Sequence, residues 1–480
     1  MTSKCNITRR AILRSAGVGA AAFASGLEGL FGASNKTAPN IVFIMADDLG
    51  FADVSCYGRP DLHTPNIDAL AARGVRFLQA YANSAVCSAT RTALITGRYQ
   101  YRLPIGLEEP LAAHQAGLPP DHPTLPSLLR KAGYGTTLVG KWHLGQLPKY
   151  GPLQSGYDHF YGFRGGAVDY YTHSDDLWDG DVKVDQAGYM TDLLGSHAED
   201  VINGYADSSK PFLLSLHFNA PHWPWEPPGD DSESRRLAGH GLPDYDGGSQ
   251  RIYRRMIEDM DMQIGRVLDV LRRRGLERNT IVVFTSDNGG ERFADTWPFT
   301  GRKTELLEGG LRIPAIVSWP ARIPEGQTTD QVAISMDWLP TLLAAAGALP
   351  DPAFPSDGIN LLPVLADAAP TVSRKLFWRY KANAQRAARD GDWKFLKILN
   401  NTFLFNVADD PMERANLKDR HKDIYERIVA EWLLWNSKML PEIDESFTSS
   451  FSGDQLADHI GSPPASNKAD NPPPPSDPPD

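Results

Sequence analysis

Apolar and polar positions alternate along this chain in two different rhythms. Ile41-Val42-Phe43-Ile44-Met45-Ala46 is a continuous apolar run with β-branched residues, the pattern of a strand buried on both faces of a parallel sheet. Thr64-Pro65-Asn66 opens a predicted helix through Ala72, with Thr64 as N-cap, Pro65 at the first helical position and Gly74 as the stop. Further strands are predicted over 136–139, 212–217 and 280–285. Helices lie between them, including 189–204 and a long one over 252–274. Such alternation predicts an α/β fold with a large, mostly parallel central sheet flanked by helices.

Beyond about residue 370 the rhythm changes. Phe377-Trp378-Arg379-Tyr380, Trp393 to Ile398 and Phe403-Leu404-Phe405 are short strands close together, with Asp390-Gly391-Asp392 as a turn. One amphipathic helix over 423–437 follows. The chain is therefore expected to divide into an N-terminal catalytic domain over 38–368 and a small C-terminal α+β subdomain over 369–450. That subdomain is a small antiparallel sheet with one packed helix. From about Ser452 onward the sequence cannot build a core, and residues 451–480 read as a Pro-rich disordered tail.

The opposite end carries Thr8-Arg9-Arg10-Ala11-Ile12-Leu13-Arg14 ahead of an apolar, small-residue run from Ala16 to Leu27. A basic stretch followed by a short apolar one is a secretory signal, with a short membrane anchor as the alternative. The paired arginines resemble a twin-arginine signal, here over 1–35, which implies a bacterial protein that is periplasmic or secreted. No later stretch is long and apolar enough to be a transmembrane segment.

With 480 residues, 41% hydrophobic and 22% charged, the chain can bury a large core. Its net charge of -11, without a long basic block, excludes nucleic acid as a general partner, because nothing supplies a phosphate-neutralising surface. The three cysteines are Cys5, in the signal, and Cys56 and Cys87, which could in principle pair. A scaffold this large needs no bridge. Cys56 reads as a buried, inert thiol.

Candidate chemistry clusters at or just beyond strand ends, where open α/β sheets place their sites. Asp47-Asp48 follows the first strand, and Asp287-Asn288-Gly289 follows the 280–285 strand. Either pair alone reads as a polar turn. Together, three carboxylates and an amide oxygen make an all-oxygen site suited to Ca²⁺ or Mg²⁺ rather than zinc. Cys87 is placed at the N-terminus of a short helix, whose dipole and free N–H groups favour anionic oxygens, with Arg91 one turn later on the same face. Lys141 and His143 follow the 136–139 strand, His222 follows the 212–217 strand, and Lys303 sits in a Gly-flanked loop. A single histidine is usually structural. Two histidines and two lysines at strand ends beside an anion site point to catalysis.

Cys87-x-Ala89-x-Arg91 followed by Leu94-x-Thr96-Gly97-Arg98 resembles the signature of the formylglycine-dependent type I sulfatases of the alkaline phosphatase superfamily. The commonest form of that signature has proline where this chain has Ala89, and alanine occurs in the wider pattern. Asp47-Asp48, Lys141-Trp142-His143-Leu144-Gly145, Ala220-Pro221-His222, Asp287-Asn288-Gly289, Lys303 ahead of Glu308-Gly309-Gly310, Asp390-Gly391-Asp392-Trp393-Lys394 and Leu404-Phe405-Asn406 resemble the same family in order, over nearly all of the mature chain. The resemblance implies an alkaline-phosphatase-like sandwich fold. It also implies oxidation of Cys87 to 3-oxoalanine (formylglycine) by a formylglycine-generating maturation enzyme. Ca²⁺ would then be held by Asp47, Asp48, Asp287, Asn288 and modified residue 87. Arg91, Lys141 and Lys303 would neutralise the sulfuryl group, His222 with Lys303 would protonate the leaving alcohol, and His143 would take the proton of the second hydroxyl. Asp287 could also act as base on the attacking hydroxyl. The implied reaction hydrolyses a sulfate ester to alcohol and inorganic sulfate through a formylglycine-sulfate intermediate.

The substrate is expected to be a sulfated carbohydrate, with aryl sulfates as surrogates. Asp169 to His173, Trp223-Pro224-Trp225 and Asp295-Thr296-Trp297 place aromatic rings in loops, where they either stack on sugars or pack the loops. On the stacking reading Trp223 and Trp225 join Lys141, His222 and Lys303 as substrate-binding residues. Two rivals stand beside this: a phosphodiesterase or phosphonate monoesterase of the same superfamily, and a sulfoglycan-binding pseudoenzyme in which Cys87 stays a thiol.

Overall fold

Four parallel strands form the middle of the largest sheet: β1 (Asn40–Ala46), β2 (Gly135–Lys141), β3 (Phe212–His217) and β4 (Thr280–Ser286). In this computed structural model β1 lies between β3 and β4, and β2 lies beyond β3. The described residues are 38–112, 117–208, 210–238, 247–367 and 369–459. The predicted signal over 1–35 and the tail from residue 460 lie outside them. No helix among the described residues is long and apolar enough to cross a membrane.

The apolar runs form strands here because both faces are covered. Ile41, Phe43, Met45, Ile281 and Val283 point into one core, while Val42, Ile44, Ala46, Val282 and Phe284 point into another on the opposite face. Each such side chain contributes about 1.5–3 kcal/mol by leaving water. Short strands at Gln327–Thr329, Val75–Phe77 and Ala315–Ser318 extend the sheet beyond β4. His159–Phe163, Trp178–Asp179 and Val182–Lys183 extend it beyond β2, giving ten strands in all. The Ala315–Ser318 strand runs antiparallel to β4.

Helices cover both faces. Pro65–Ala72, α2 (Met190–Ser208) and α3 (Gln250–Arg273) feed the second core, and Leu125–Lys131 and Trp338–Ala346 feed the first. α3 begins two residues before the expected Ile252 because the Ser249 side chain accepts the Ile252 N–H at 3.2 Å, a cap that sets the boundary. Thr64 takes the expected N-cap position without a side-chain capping bond. Pro65 does open its helix, but the Thr64 hydroxyl caps nothing and instead bonds Ser55 at both N–H and hydroxyl.

The second sheet is antiparallel and in sequence order: β5 (Lys375–Tyr380), β6 (Gln385–Asp390), β7 (Trp393–Ile398) and β8 (Asn401–Asn406). The turn at Asp390 to Asp392 works because Gly391 takes φ +60. Helix α4 (Lys422–Asn436) packs on this sheet through Ile428, Trp432 and Trp435. The small sheet packs against the Cys87–Thr96 helix and the short Ala80–Tyr81 strand, because Trp378, Tyr380 and Leu396 share a core with Tyr81, Ala89 and Ala93.

A fully buried charge network also joins them. Lys394 of β7 bonds Glu308 and Glu413 at 2.9 Å each, and Glu308 in turn holds Arg312 at 2.6 Å and the Tyr81 hydroxyl at 2.7 Å. Residues 452–459, expected to belong to the tail, pack against the fold. Ser452 is buried, Asp458 pairs with Arg302, and His459 bonds Glu305 at 2.8 Å. Polar pairing, rather than apolar burial, holds residues 452–459 on the loop that carries Lys303.

Candidate active site

Register brings the site together. β1 pairs with β4 so that Ala46 stands opposite Ser286, and the next residues, Asp47 and Asp287, emerge side by side. β1 also sets Met45 opposite His217 of β3, and Gly140 of β2 stands opposite the same residue, so Lys141 ends beside them.

Helix α1 (Cys87–Thr96) meets these strand ends with its N-terminus. Val86 precedes it in extended conformation with no side-chain cap, so the first N–H groups are left for what lies in front of Cys87. All ten residues are buried, which explains the run of hydroxyls. Thr90 Oγ1 accepts the Ser84 N–H and donates to the Ser84 carbonyl, Thr92 donates to the Ser88 carbonyl, and Thr96 to that of Thr92. Each threonine hydroxyl in this dry helix thereby has a partner.

Arg91, one turn in, donates to Asp287 Oδ2 through Nη2 at 2.9 Å and Nε at 3.1 Å, and to the Lys141 carbonyl at 3.3 Å. Lys141 Nζ bonds Asp47 Oδ2 at 2.5 Å. Lys303 Nζ bonds Asp48 Oδ2 at 2.6 Å and lies 3.1 Å from His222 Nε2. The Asp48 N–H donates to Asp287 Oδ1 at 3.2 Å, and Asn288 Nδ2 donates to Asp48 Oδ1 at 2.7 Å. Three buried carboxylates thus face three buried cations.

Burial, and then Asp287, push the Asp47 carboxyl up to about 8, against the pull of Lys141 and Arg91. Burial alone would raise Asp287 too, but Arg91 and Lys141 outweigh it and hold that carboxyl at about 2. Burial disfavours the Lys303 ammonium, yet Asp48 holds it well above the ordinary lysine range. Burial and neighbouring cations keep His143 and His222 well below the usual imidazole range, so both rings are neutral. His222 Nδ1 lies 2.6 Å from the Trp223 carbonyl, which assigns the ring proton there and leaves Nε2 as acceptor toward Lys303. His143 Nε2 lies 3.2 Å from the Leu111 carbonyl, leaving Nδ1 without a partner.

The residues present fit a hard divalent cation. One donor atom from each of Asp47, Asp48, Cys87 and His222 lies within 4.8 Å of the others. Asp47 Oδ1 and Asn288 Oδ1 are buried without a hydrogen-bond partner, as oxygens awaiting a cation would be. Asp287 is outside that compact group, with one oxygen on Arg91 and the other on the Asp48 N–H. Backbone strain occurs here as well. Asp48, His143 and Thr304 take φ of +63, +55 and +72, and for a β-branched threonine that is a genuine outlier. The loop is pinned by Lys303 N–H to the Gly290 carbonyl and Thr304 N–H to the Ala85 carbonyl, each at 2.9 Å.

The aromatic expectations divide. Trp225 is 3% exposed, with its ring edge-on to Phe293 at 4.7 Å and under the Arg292 guanidinium at 4.9 Å. It is a core residue, which corrects its assignment as a substrate contact. Trp223 is half-buried, 4.5 Å from the His222 ring, and Trp297 is 66% exposed. Trp225→Ala is therefore expected to cost about 3–5 kcal/mol in urea unfolding and to lower activity on polymeric and aryl esters alike. Trp297→Ala is expected to shift stability by under about 0.5 kcal/mol.

Two buried groups escaped the sequence reading. His217 Nδ1 lies 3.5 Å from Arg91 Nη1, and its position as the last residue of a predicted strand was the available signal. Glu291, three residues past Asn288, is buried at 5% exposure and carries no motif that marks it.

A sequence profile of the sulfatase family matches residues 39–348, and one described as N-sulphoglucosamine sulphohydrolase, C-terminal, matches 301–434. The chain is 32% identical over 396 residues to N-acetylgalactosamine-6-sulfatase of Rattus norvegicus, covering 76% of this chain and 72% of that protein. It is 31% identical over 370 residues to arylsulfatase A of Homo sapiens, covering 71% and 70%. Among solved structures, Ps i-CgsB in complex with k-i-k-neocarrahexaose superimposes with a TM-score of 0.77 at 29% identity, covering 88% of this chain and 97% of that one.

Proposed function

The chain belongs to the sulfatase family of the alkaline phosphatase superfamily and is a sulfuric ester hydrolase; on that footing we propose that it desulfates a carbohydrate, using a formylglycine at residue 87 and a calcium ion. The observation that carries this reading is the meeting of the Cys87 helix N-terminus with Asp47, Asp48 and Asp287 on one side and three buried cations on the other. The carbohydrate is inferred from the sulfated-sugar names of its relatives.

When bound, calcium supplies Lewis-acid polarisation of a sulfate oxygen, with Asp47, Asp48, Asp287, Asn288 and residue 87 as its holders. The aldehyde hydrate proposed at residue 87 supplies one hydroxyl as nucleophile and a second for product release. Arg91, Lys141 and Lys303 orient the anionic sulfuryl group and neutralise its charge. Lys303 Nζ and His222 Nε2, 3.1 Å apart, share one proton, which they deliver to the leaving oxygen. His143 Nδ1, unprotonated, accepts the proton released from the second hydroxyl.

Arg91, Lys141 and Lys303 stand against Asp48 and Asp287, with the Asp47 carboxyl pushed up by burial, so the walls carry no net negative charge and a bound divalent ion would make the site net positive toward a sulfate monoester. A local excess of this kind lets an acidic protein bind an acidic substrate. The proposed division into residues 38–368 and 369–450 assigns every one of these groups to the first part.

Export by the twin-arginine route and oxidation by a formylglycine-generating enzyme complete the proposal. Mass spectrometry of the peptide containing residue 87 tests it. The expected product is an aldehyde or its hydrate, and a quantitatively alkylatable thiol in native, active protein overturns the formylglycine reading. Turnover of p-nitrophenyl sulfate above that of phosphate diesters is expected, and the reverse order overturns the choice of ester.

A further inference from the structure

Glu291 is a buried acid that the chemistry above does not use. It is 5% exposed, and neither carboxyl oxygen has a side-chain hydrogen-bond partner among the described residues; the donor beside it is the Arg292 backbone N–H. Its chain position ties it to the site: the Gly290 carbonyl before it accepts the Lys303 N–H at 2.9 Å, and the Glu291 carbonyl accepts the Ala294 N–H at 2.9 Å. The charges of Asp48, Lys303 and Arg292 all act on its carboxyl. Leaving a buried carboxyl oxygen without a partner costs about 1–3 kcal/mol, and one backbone N–H cannot satisfy two oxygens, so such a group beside a site calls for a donor that arrives with the ligand.

The chemistry of the ligand narrows that donor. A sulfate ester group carries only acceptor oxygens, so the donor must come from the alcohol half of the substrate. The Lys303 ammonium is already shared between Asp48 and His222. We propose that Glu291 is a specificity-determining residue that accepts hydrogen bonds from hydroxyl groups of the alcohol being released, selecting polyhydroxylated (sugar) sulfates over aryl sulfates. The proposal rests on the hydrolase reading above and deepens it. A site wall of this kind rejects analogues that lack the hydroxyl, because the acid is then left unpaired. It also disfavours a second sulfate at the same place, since two anions would be forced together.

The test uses the full chain, wild type and Glu291→Gln, on p-nitrophenyl sulfate and on a panel of N-acetylgalactosamine 6-sulfate, glucosamine 6-sulfate and κ-carrageenan oligosaccharides. On the best sugar of the panel, kcat/KM of Glu291→Gln is expected to fall about 10–100-fold, against at most about threefold on the aryl ester. Independently of any variant, the wild type should lose a comparable factor on deoxy analogues of that sugar. Equal losses on both ester classes, no loss on either, or a wild type that cleaves the aryl sulfate but no sugar overturns the assignment. A wild type inactive on every sulfate ester overturns the underlying hydrolase reading, a distinguishable result.

Discussion

Cys87→Ala is expected to abolish hydrolysis of p-nitrophenyl sulfate, by at least about ten-thousandfold, while the chain stays folded. The loss is total because no neighbouring group can replace residue 87. Asp47 and Asp48 each hold a lysine through one oxygen, Asp287 holds Arg91, and both histidines are committed through one nitrogen to backbone carbonyls. Folding is spared because alanine keeps the helix start, and α1 is held by its hydroxyl-to-carbonyl bonds rather than by the thiol. Burial pushes the unmodified thiol up to about 12, so an unoxidised Cys87 would itself be a poor nucleophile near neutrality. Circular dichroism beside the activity assay separates the two effects, and a variant that still turns over removes residue 87 from the mechanism.

Asp287→Asn should be nearly as severe for a different reason. Activity is expected to fall by about a thousandfold or more, with calcium content dropping from about one ion per chain to well below it. Stability should fall as well. Arg91 is fully buried and Asp287 is its nearest carboxylate, and uncoupling one member of such a pair costs about 3–5 kcal/mol. Elemental analysis of the purified variant decides the ligand role. A full calcium complement would show that Asp287 acts only through Arg91.

How much of this was legible depended on the kind of signal. Strands buried on both faces announce themselves as unbroken apolar runs, so β1, β3 and β4 and the acids that follow β1 and β4 could be placed from the sequence. Strands of two or three residues, such as Trp178–Asp179 and Val182–Lys183, are too short to show any period and exist only through pairing with neighbours. Trp225 looked like Trp223 because the chain spells Trp-Pro-Trp. Only the approach of Phe293 and Arg292, some 70 residues on, makes one ring core while its neighbour stays half-buried. Thr64 had the right residue type for a cap, but Ser55 competes for its hydroxyl. Residues 452–459 lack the apolar content of a core and still dock, because charge pairing with Arg302 and Glu305 does not register as hydrophobic patterning.

The dry knot of Lys394, Glu308 and Glu413 sets a limit on how this molecule can be cut down. Glu308 lies five residues from Lys303, and one of its counter-cations comes from the other sheet. Trimming the chain at the end of the larger sheet would remove Lys394 and leave Glu308, under the loop that aims a catalytic lysine, with Arg312 as its one remaining counter-cation among the described residues. A shortened version would be an unfinished enzyme, and the two sheets must be inherited, expressed and engineered as one piece.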